Sequence, residues 1–152
     1  MQQLNLPSFG FRTRDDGKNR KIFDDIRKKW VSLTPEEWVR QHLVRYMVEY
    51  KNYPPGLINI EKEFQLNKTK KRADIVVFNR SAQAVFILEC KAPHIKISPN
   101  TFEQVLNYFI GMRARFIAVS NGITHFCIEV QQDGGYNTLE SFPTYENIMQ
   151  NT

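Results

Sequence analysis

The stretch VFILECKAP, residues 85–93, begins with four apolar residues, then sets Glu89 and Lys91 two positions apart, and Pro93 closes it. Side chains alternate faces along a strand, so Val85, Ile87, Glu89 and Lys91 share one face and Phe86, Leu88 and Cys90 the other. Burying such charges without partners is costly, which places the pair at the strand's C-terminal end. Upstream, KRADIVVFN carries Asp74 ahead of a second apolar run, and the link NRSAQ between the two runs suits a hairpin. A hairpin would bring Asp74, at the start of one strand, beside Glu89, at the end of its partner. Two carboxylates are hard oxygen ligands for Mg²⁺, which takes one or two of them and leaves its other positions to water and phosphate. A neighbouring lysine can orient or help deprotonate an attacking water and neutralise charge growing on a phosphate. An E-x-K on its own reads as a surface ion pair worth about 0–1 kcal/mol. The upstream aspartate is what makes the set chemical.

These residues need a scaffold, and the chain supplies its signals. In SLTPEEWVRQHLVRYMVEY, Thr34 is an N-cap, Pro35 suits the first helical position, and Glu37 completes a T-x-x-E capping box. Val39, Leu43, Met47 and Tyr50 form a stripe at helical spacing, predicting a helix that ends near Lys51, before the turn Asn52-Tyr-Pro-Pro-Gly. Strand-like runs follow over 57–64, 73–78 and 84–90, the first two separated by the basic loop NKTKKR. Ser98 opens a second helix with Phe102, Val105, Phe109 and Met112 spaced for core contact. RFIAVS and HFCIEV are two more strands, joined through Asn121-Gly122. The order predicts one α/β domain with a central mixed sheet flanked by helices. Residues 1–30 read as a basic arm of loops, in which a short strand or turn packs Ile22, Phe23 and Ile26. Residues 31–130 read as the folded domain and 131–152 as a loose tail.

A chain of 152 residues, 41% hydrophobic and 24% charged, has the composition of an ordinary globular protein. No apolar run approaches the roughly 20 residues of a membrane span. The N-terminus shows no charged region followed by an apolar one, so no signal peptide is expected. Cys90 and Cys127 sit in apolar runs, as free thiols of a reducing cytosol would. The net charge of +5 and pI near 9.3 favour a polyanionic partner. Lys68, Lys70, Lys71 and Arg72 run directly into Asp74 and would contact phosphates without reading sequence, Arg72 being nearest the acid. His42, His94 and His125 show no metal-ligand spacing and read as structural or surface residues.

Asp74 followed by Glu89-Cys90-Lys91 resembles the D…(D/E)-x-K signature of the PD-(D/E)xK nuclease superfamily. Ala73 stands where the superfamily's named proline would be. More narrowly, LTPEEWVRQHLVRYMVE, KKRADIVVFN, FILECKAP, FEQVLNY and AVSNGITHFC, in this order, resemble the N-terminal nuclease domain of type I restriction enzyme R subunits over roughly residues 20–130. The resemblance implies a restriction-endonuclease-like fold and an acid on the first helix, for which Glu36 and Glu37 are both available. Helical phase sets Glu36 on the stripe of Val39 and Leu43, four residues before Arg40, while the capping box accounts for Glu37; Glu36 is favoured. It also implies a Q-x-x-x-Y element, here Gln104 and Tyr108, that supports the site and contacts DNA.

The implied activity is a Mg²⁺-dependent endodeoxyribonuclease of the cytoplasm, with Mn²⁺ able to substitute. Asp74, Glu89 and the Cys90 carbonyl would hold the metal, and Lys91 would assist the nucleophile. Glu36 and Gln104 complete the catalytic set, while Lys70, Lys71, Arg72 and Tyr108 bind nucleic acid. The implied partners are DNA and either a second copy or the motor and specificity subunits of a restriction system, with no membrane. The chain has no G-x-x-x-x-G-K-[ST] phosphate loop, so it reads as a stand-alone small relative or a fragment without its own translocation activity. Two alternatives stay open: a module of the same fold that binds nucleic acid or a partner without cutting, and a nuclease acting on RNA or structured DNA.

Overall fold

The Thr34 side chain accepts a hydrogen bond from the Glu37 N–H (3.0 Å), and Pro35 opens helix α1, Pro35–Tyr50, in the computed structural model, which describes residues 1–150. Val39, Leu43 and Met47 are fully buried along α1, as their spacing requires. Tyr50 is the exception: it is 57% exposed and stacks on Tyr46 instead. Steps of four, four and three residues keep Tyr50 within about 20° of the stripe, but it is the last residue of α1, and its ring lies against Tyr46 and Phe9 rather than in the core.

Beneath α1 lies a six-stranded sheet: β4 (Ile58–Leu66), β5 (Thr69–Phe78), β6 (Ala84–Cys90), β7 (Phe116–Ser120), β8 (His125–Val130) and β9 (Tyr136–Leu139), in that spatial order. Only β6 and β7 run parallel, connected through α2 (Pro99–Phe109), so the sheet is mixed. One core cluster packs α1 against Ile75, Val77, Phe86, Leu88 and Cys90, and the other packs α2 against Val76, Ile87, Ile117 and Val119. The strand alternation is as predicted, with one exception. A register shift at Val77/Phe78 puts Val85 into the α1-side cluster with Phe86.

Three segments are more ordered than the sequence reading expects. The basic stretch NKTKKR is a hairpin rather than a loop: Asn67 and Lys68 take left-handed φ values of 51° and 69°, the two-residue turn geometry, and Lys70–Arg72 already belong to β5. The supposed arm carries an antiparallel sheet, β1 (Thr13–Asp16), β2 (Asn19–Asp24) and β3 (Lys29–Ser32), with Ile22 fully buried. The supposed loose tail adds β9 and α3 (Tyr145–Met149), capped by Thr144 and Asn147, with Ile148 in the core. These stretches are polar because one of their faces is solvated, and short half-exposed strands carry little periodic signal. Among the described residues no helix is long and apolar enough to cross a membrane.

Candidate active site

Ile75 of β5 faces Leu88 of β6, so the next residues outward, Asp74 and Glu89, fall together at one end of the hairpin. Their carboxyl groups are close enough to act on each other electrostatically. Burial, then the Asp74 carboxyl beside it, pushes Glu89 up to about 9, although Lys91 opposes the shift. Asp74 is itself buried. Its Oδ2 accepts the Cys90 N–H (2.7 Å) and its Oδ1 the Arg40 Nη2 (3.4 Å). The Cys90 side chain points into the α1-side core, away from Glu89, and burial holds its thiol well above the usual range. Lys91, half-buried, donates its backbone N–H to Ser120 (2.8 Å), which fixes its departure from the sheet.

The two helix acids exchange the environments that helical phase assigned them. Glu37 is the buried one, and its carboxylate does not close a capping box. It takes Arg27 Nη2 (2.7 Å), Gln41 Nε2 (2.9 Å) and Arg40 Nη1 (3.4 Å). Glu36 keeps 46% of its side chain exposed and meets Arg40 Nη2 at 3.4 Å. Yet Glu36 is the acid electrostatically tied to the strand pair. Its carboxyl is raised by partial burial and by Asp74, against the pull of Arg40 and Lys91.

The second helix approaches from the other side. The Tyr108 hydroxyl accepts the backbone N–H of Arg72 (3.1 Å), two residues before Asp74, and the Lys71 ammonium lies 4.6 Å from the centre of the Tyr108 ring. Gln104, one turn earlier on α2, is exposed, as is Lys70. Arg72 turns to Glu61 (2.9 Å) rather than toward Asp74.

Glu61 and Arg27 are residues the sequence reading does not single out. Glu61 interrupts the β4–β5 pairing between Ile60 and Lys62 with a left-handed φ of 53°, a conformation that costs a non-glycine residue about 1–3 kcal/mol. In that position it accepts from Arg27 (3.2 Å) and Arg72 (2.9 Å) and forms an ion pair with Arg40 (3.2 Å). Arg27 also binds Asp24, so ionic contacts run from the small sheet through Glu37 and Arg40 to Asp74. No local pattern could reveal this, because the partners lie up to 34 residues apart. A cleft of about 630 Å³ opens alongside, lined by β3, the first turn of α1, Glu61, Ala92 and His94. A second cavity of about 590 Å³, between Leu4, Tyr46, His125 and Phe142, contains none of the sequence-marked site residues.

Among the described residues, no group of three or more His, Cys, Asp or Glu side chains is arranged to hold a metal ion. The chemistry of the donors nonetheless suits a divalent cation. Asp74 and Glu89 press two carboxyl groups together under partial burial, and the network holds more acids (Asp24, Glu36, Glu37, Glu61, Asp74, Glu89) than cations (Arg27, Arg40, Arg72, Lys91). A hard cation at the Asp74–Glu89 pair would relieve both.

Residues 35–143 match the family described as "Type I restriction enzyme R protein N terminus (HSDR_N)". No curated protein matches the chain. Among solved structures, a fragment described as an HsdR subunit of a type I restriction enzyme from Vibrio vulnificus YJ016 shares the fold, with a TM-score of 0.55 at 19% identity. The alignment covers 76% of this chain and 24% of that one, so this chain spans about a quarter of the length of that relative.

Proposed function

The chain belongs to the family of type I restriction enzyme R protein N termini, and from that premise we propose that it is a metal-dependent endodeoxyribonuclease domain with the PD-(D/E)xK, restriction-endonuclease-like fold. The observation that carries this reading is the pairing of Asp74 with Glu89, in electrostatic contact with both Glu36 and Lys91. Groups from three separate segments, α1, β5 and the end of β6, act on one another electrostatically at one sheet end, and a surface ion pair needs no such convergence.

Asp74 and Glu89 would hold Mg²⁺ or Mn²⁺, with the Cys90 carbonyl as a backbone ligand. When bound, the ion supplies Lewis-acid polarisation of the phosphate and a more acidic water. Lys91 orients the attacking water and offsets charge that grows on the phosphate. Glu36, from the helix side, accepts a hydrogen bond from that water. Arg40 keeps Asp74 in place and leaves Glu36 half-exposed toward the cleft. Tyr108 fixes the backbone at Arg72, and Lys70, Lys71 and Arg72 contact the DNA backbone, with Gln104 beside them. The setting is a restriction system in the cytoplasm, where the chain works as a pair of copies or with motor and specificity subunits.

A second reading, a module that binds nucleic acid without cutting, is favoured by the Arg40 ion pair on Asp74 and by the absence, among the described residues, of a third ligand side chain beside the pair. One assay separates the two. Purified protein with Mg²⁺ or Mn²⁺ nicks plasmid DNA, and Lys91→Ala abolishes the nicking. Equal cutting by wild type and variant would remove the nuclease reading, and binding with no cutting under either metal would establish the module.

A further inference from the structure

The β1–β3 sheet lies wholly outside the family match, which starts at residue 35. Residues 1–34 nevertheless hold eight Lys/Arg against four Asp/Glu, most of the chain's net charge of +5. The strand register sorts these residues by face. Ile22 and Asp24 point inward and are buried, while the cross-strand pairs Arg14/Lys21 and Phe23/Trp30 share the outward face. On that face the Arg12 guanidinium lies 3.9 Å from the centre of the Phe23 ring, and that of Arg14 lies 4.4 Å from the centre of Trp30. The two rings meet edge to face at 5.4 Å.

We propose that this outward face docks the phosphodiester backbone of a DNA duplex and leads it to the cleft beside Glu36; the proposal rests on the nuclease reading and extends it. The rings hold both guanidinium groups in place, so little side-chain freedom is lost when a phosphate binds. The acids nearby are weak competitors. Asp16 meets Lys21 at 3.2 Å and Arg14 at 4.0 Å, and Asp25 meets Arg12 at 3.7 Å, all in exposed pairs that salt screens and a phosphate can displace. The sheet is also fixed relative to the site. Arg27, following β2, binds Asp24, Glu37 and Glu61 at once, and β3 forms one wall of the cleft that Glu36 lines.

The test is the salt dependence of binding to a fluorescein-labelled DNA duplex, read by anisotropy in EDTA so that no cutting occurs. Each phosphate contact contributes about 0.9 to the slope of log affinity against log salt. The variant Arg12→Gln/Arg14→Gln/Lys21→Gln should lower that slope by about 2–3 and weaken binding at least about tenfold near 100 mM salt. Lys51→Gln/Arg80→Gln/Arg113→Gln removes the same charge elsewhere and should stay within about twofold of wild type. Arg14→Gln alone, which keeps both rings, should lower the slope by about 0.9 and guards against misfolding of the triple variant. Equal slopes for the two triple variants, an unchanged slope for Arg14→Gln, or no duplex binding by folded wild type would each overturn the docking face. Failure of the nuclease reading shows separately, as equal plasmid cutting by wild type and Lys91→Ala while the slope difference persists.

Discussion

Arg40 Nη2 stands 3.4 Å from Asp74 Oδ1, and the same buried guanidinium is ringed by Glu36, Glu37 and Glu61. Burial alone would lower the Arg40 pKa, but the carboxylates of Glu37, Asp74 and Glu61 together drive it well upward, so the side chain is a fixed positive charge. It is the link between α1 and the start of β5. Removing one partner from a buried ion pair costs about 3–5 kcal/mol because the remaining charges lose their compensation. Arg40→Met is therefore expected to lower unfolding free energy by that order in a urea titration. Arg40→Lys keeps the charge but cannot span several carboxylates with one planar fork, so it should fold and cut DNA at least about tenfold more slowly. A fully active Arg40→Lys would show that Asp74 needs no such anchor.

Glu36 and Glu37 differ by one position and are expected to fail in opposite ways. Glu37→Gln leaves Arg27 and Arg40 without their shared carboxylate, so it should cost about 3 kcal/mol or more of stability. Glu36→Gln touches only a half-exposed pair with Arg40 and should change stability by less than about 1 kcal/mol. Its loss should appear in metal-dependent cutting instead. Thermal melts run beside plasmid assays separate the two roles, and a stable but inactive Glu37→Gln would reverse the assignment.

Strand alternation and hairpin spacing were enough to bring Asp74 and Glu89 together on paper, because both rest on contacts between neighbouring elements. The Glu36/Glu37 environments do not follow from helical phase, for the opposite reason. Which acid is buried depends on Arg27, which arrives from a sheet that the polar sequence of residues 13–32 does not announce. Glu61 was equally hidden, since a left-handed residue inside a strand leaves no mark on the hydrophobic pattern. The tail's sequence resembles a loose segment because β9 is short and half-polar, and α3 is a single capped turn.

Tyr108 contributes through one hydroxyl. Tyr108→Phe keeps the ring under Lys71 but removes the acceptor for the Arg72 N–H, a neutral hydrogen bond worth about 0.5–1.5 kcal/mol. Stability should fall by no more than that. If the bond sets the approach of β5 to Asp74, cutting should fall further than stability does, with the loss in kcat rather than KM. A KM effect alone would make Tyr108 a binding residue without influence on the acid.

Glu89 ties pH to stability and, on the proposed reading, to the metal. Its folded-state pKa is raised to about 9 by burial and by Asp74, whereas the unfolded chain releases the same proton near its ordinary value of 4.5. The folded state therefore retains a proton that the unfolded state gives up, and each step upward across this window weakens the fold. In EDTA, the wild-type melting temperature should fall as pH rises from about 5 to 9. Glu89→Gln mimics the protonated carboxyl and should flatten that fall, melting roughly 3–8 °C above wild type near pH 8. On the proposed metal site, Mg²⁺ should reverse the order at high pH: an ion held only by the native arrangement of Asp74 and Glu89 would raise the wild-type midpoint and leave Glu89→Gln unmoved. A calorimetric series over pH, with and without Mg²⁺, checks both slopes. If wild type and Glu89→Gln respond alike to the ion, the Asp74–Glu89 pair is not where it binds.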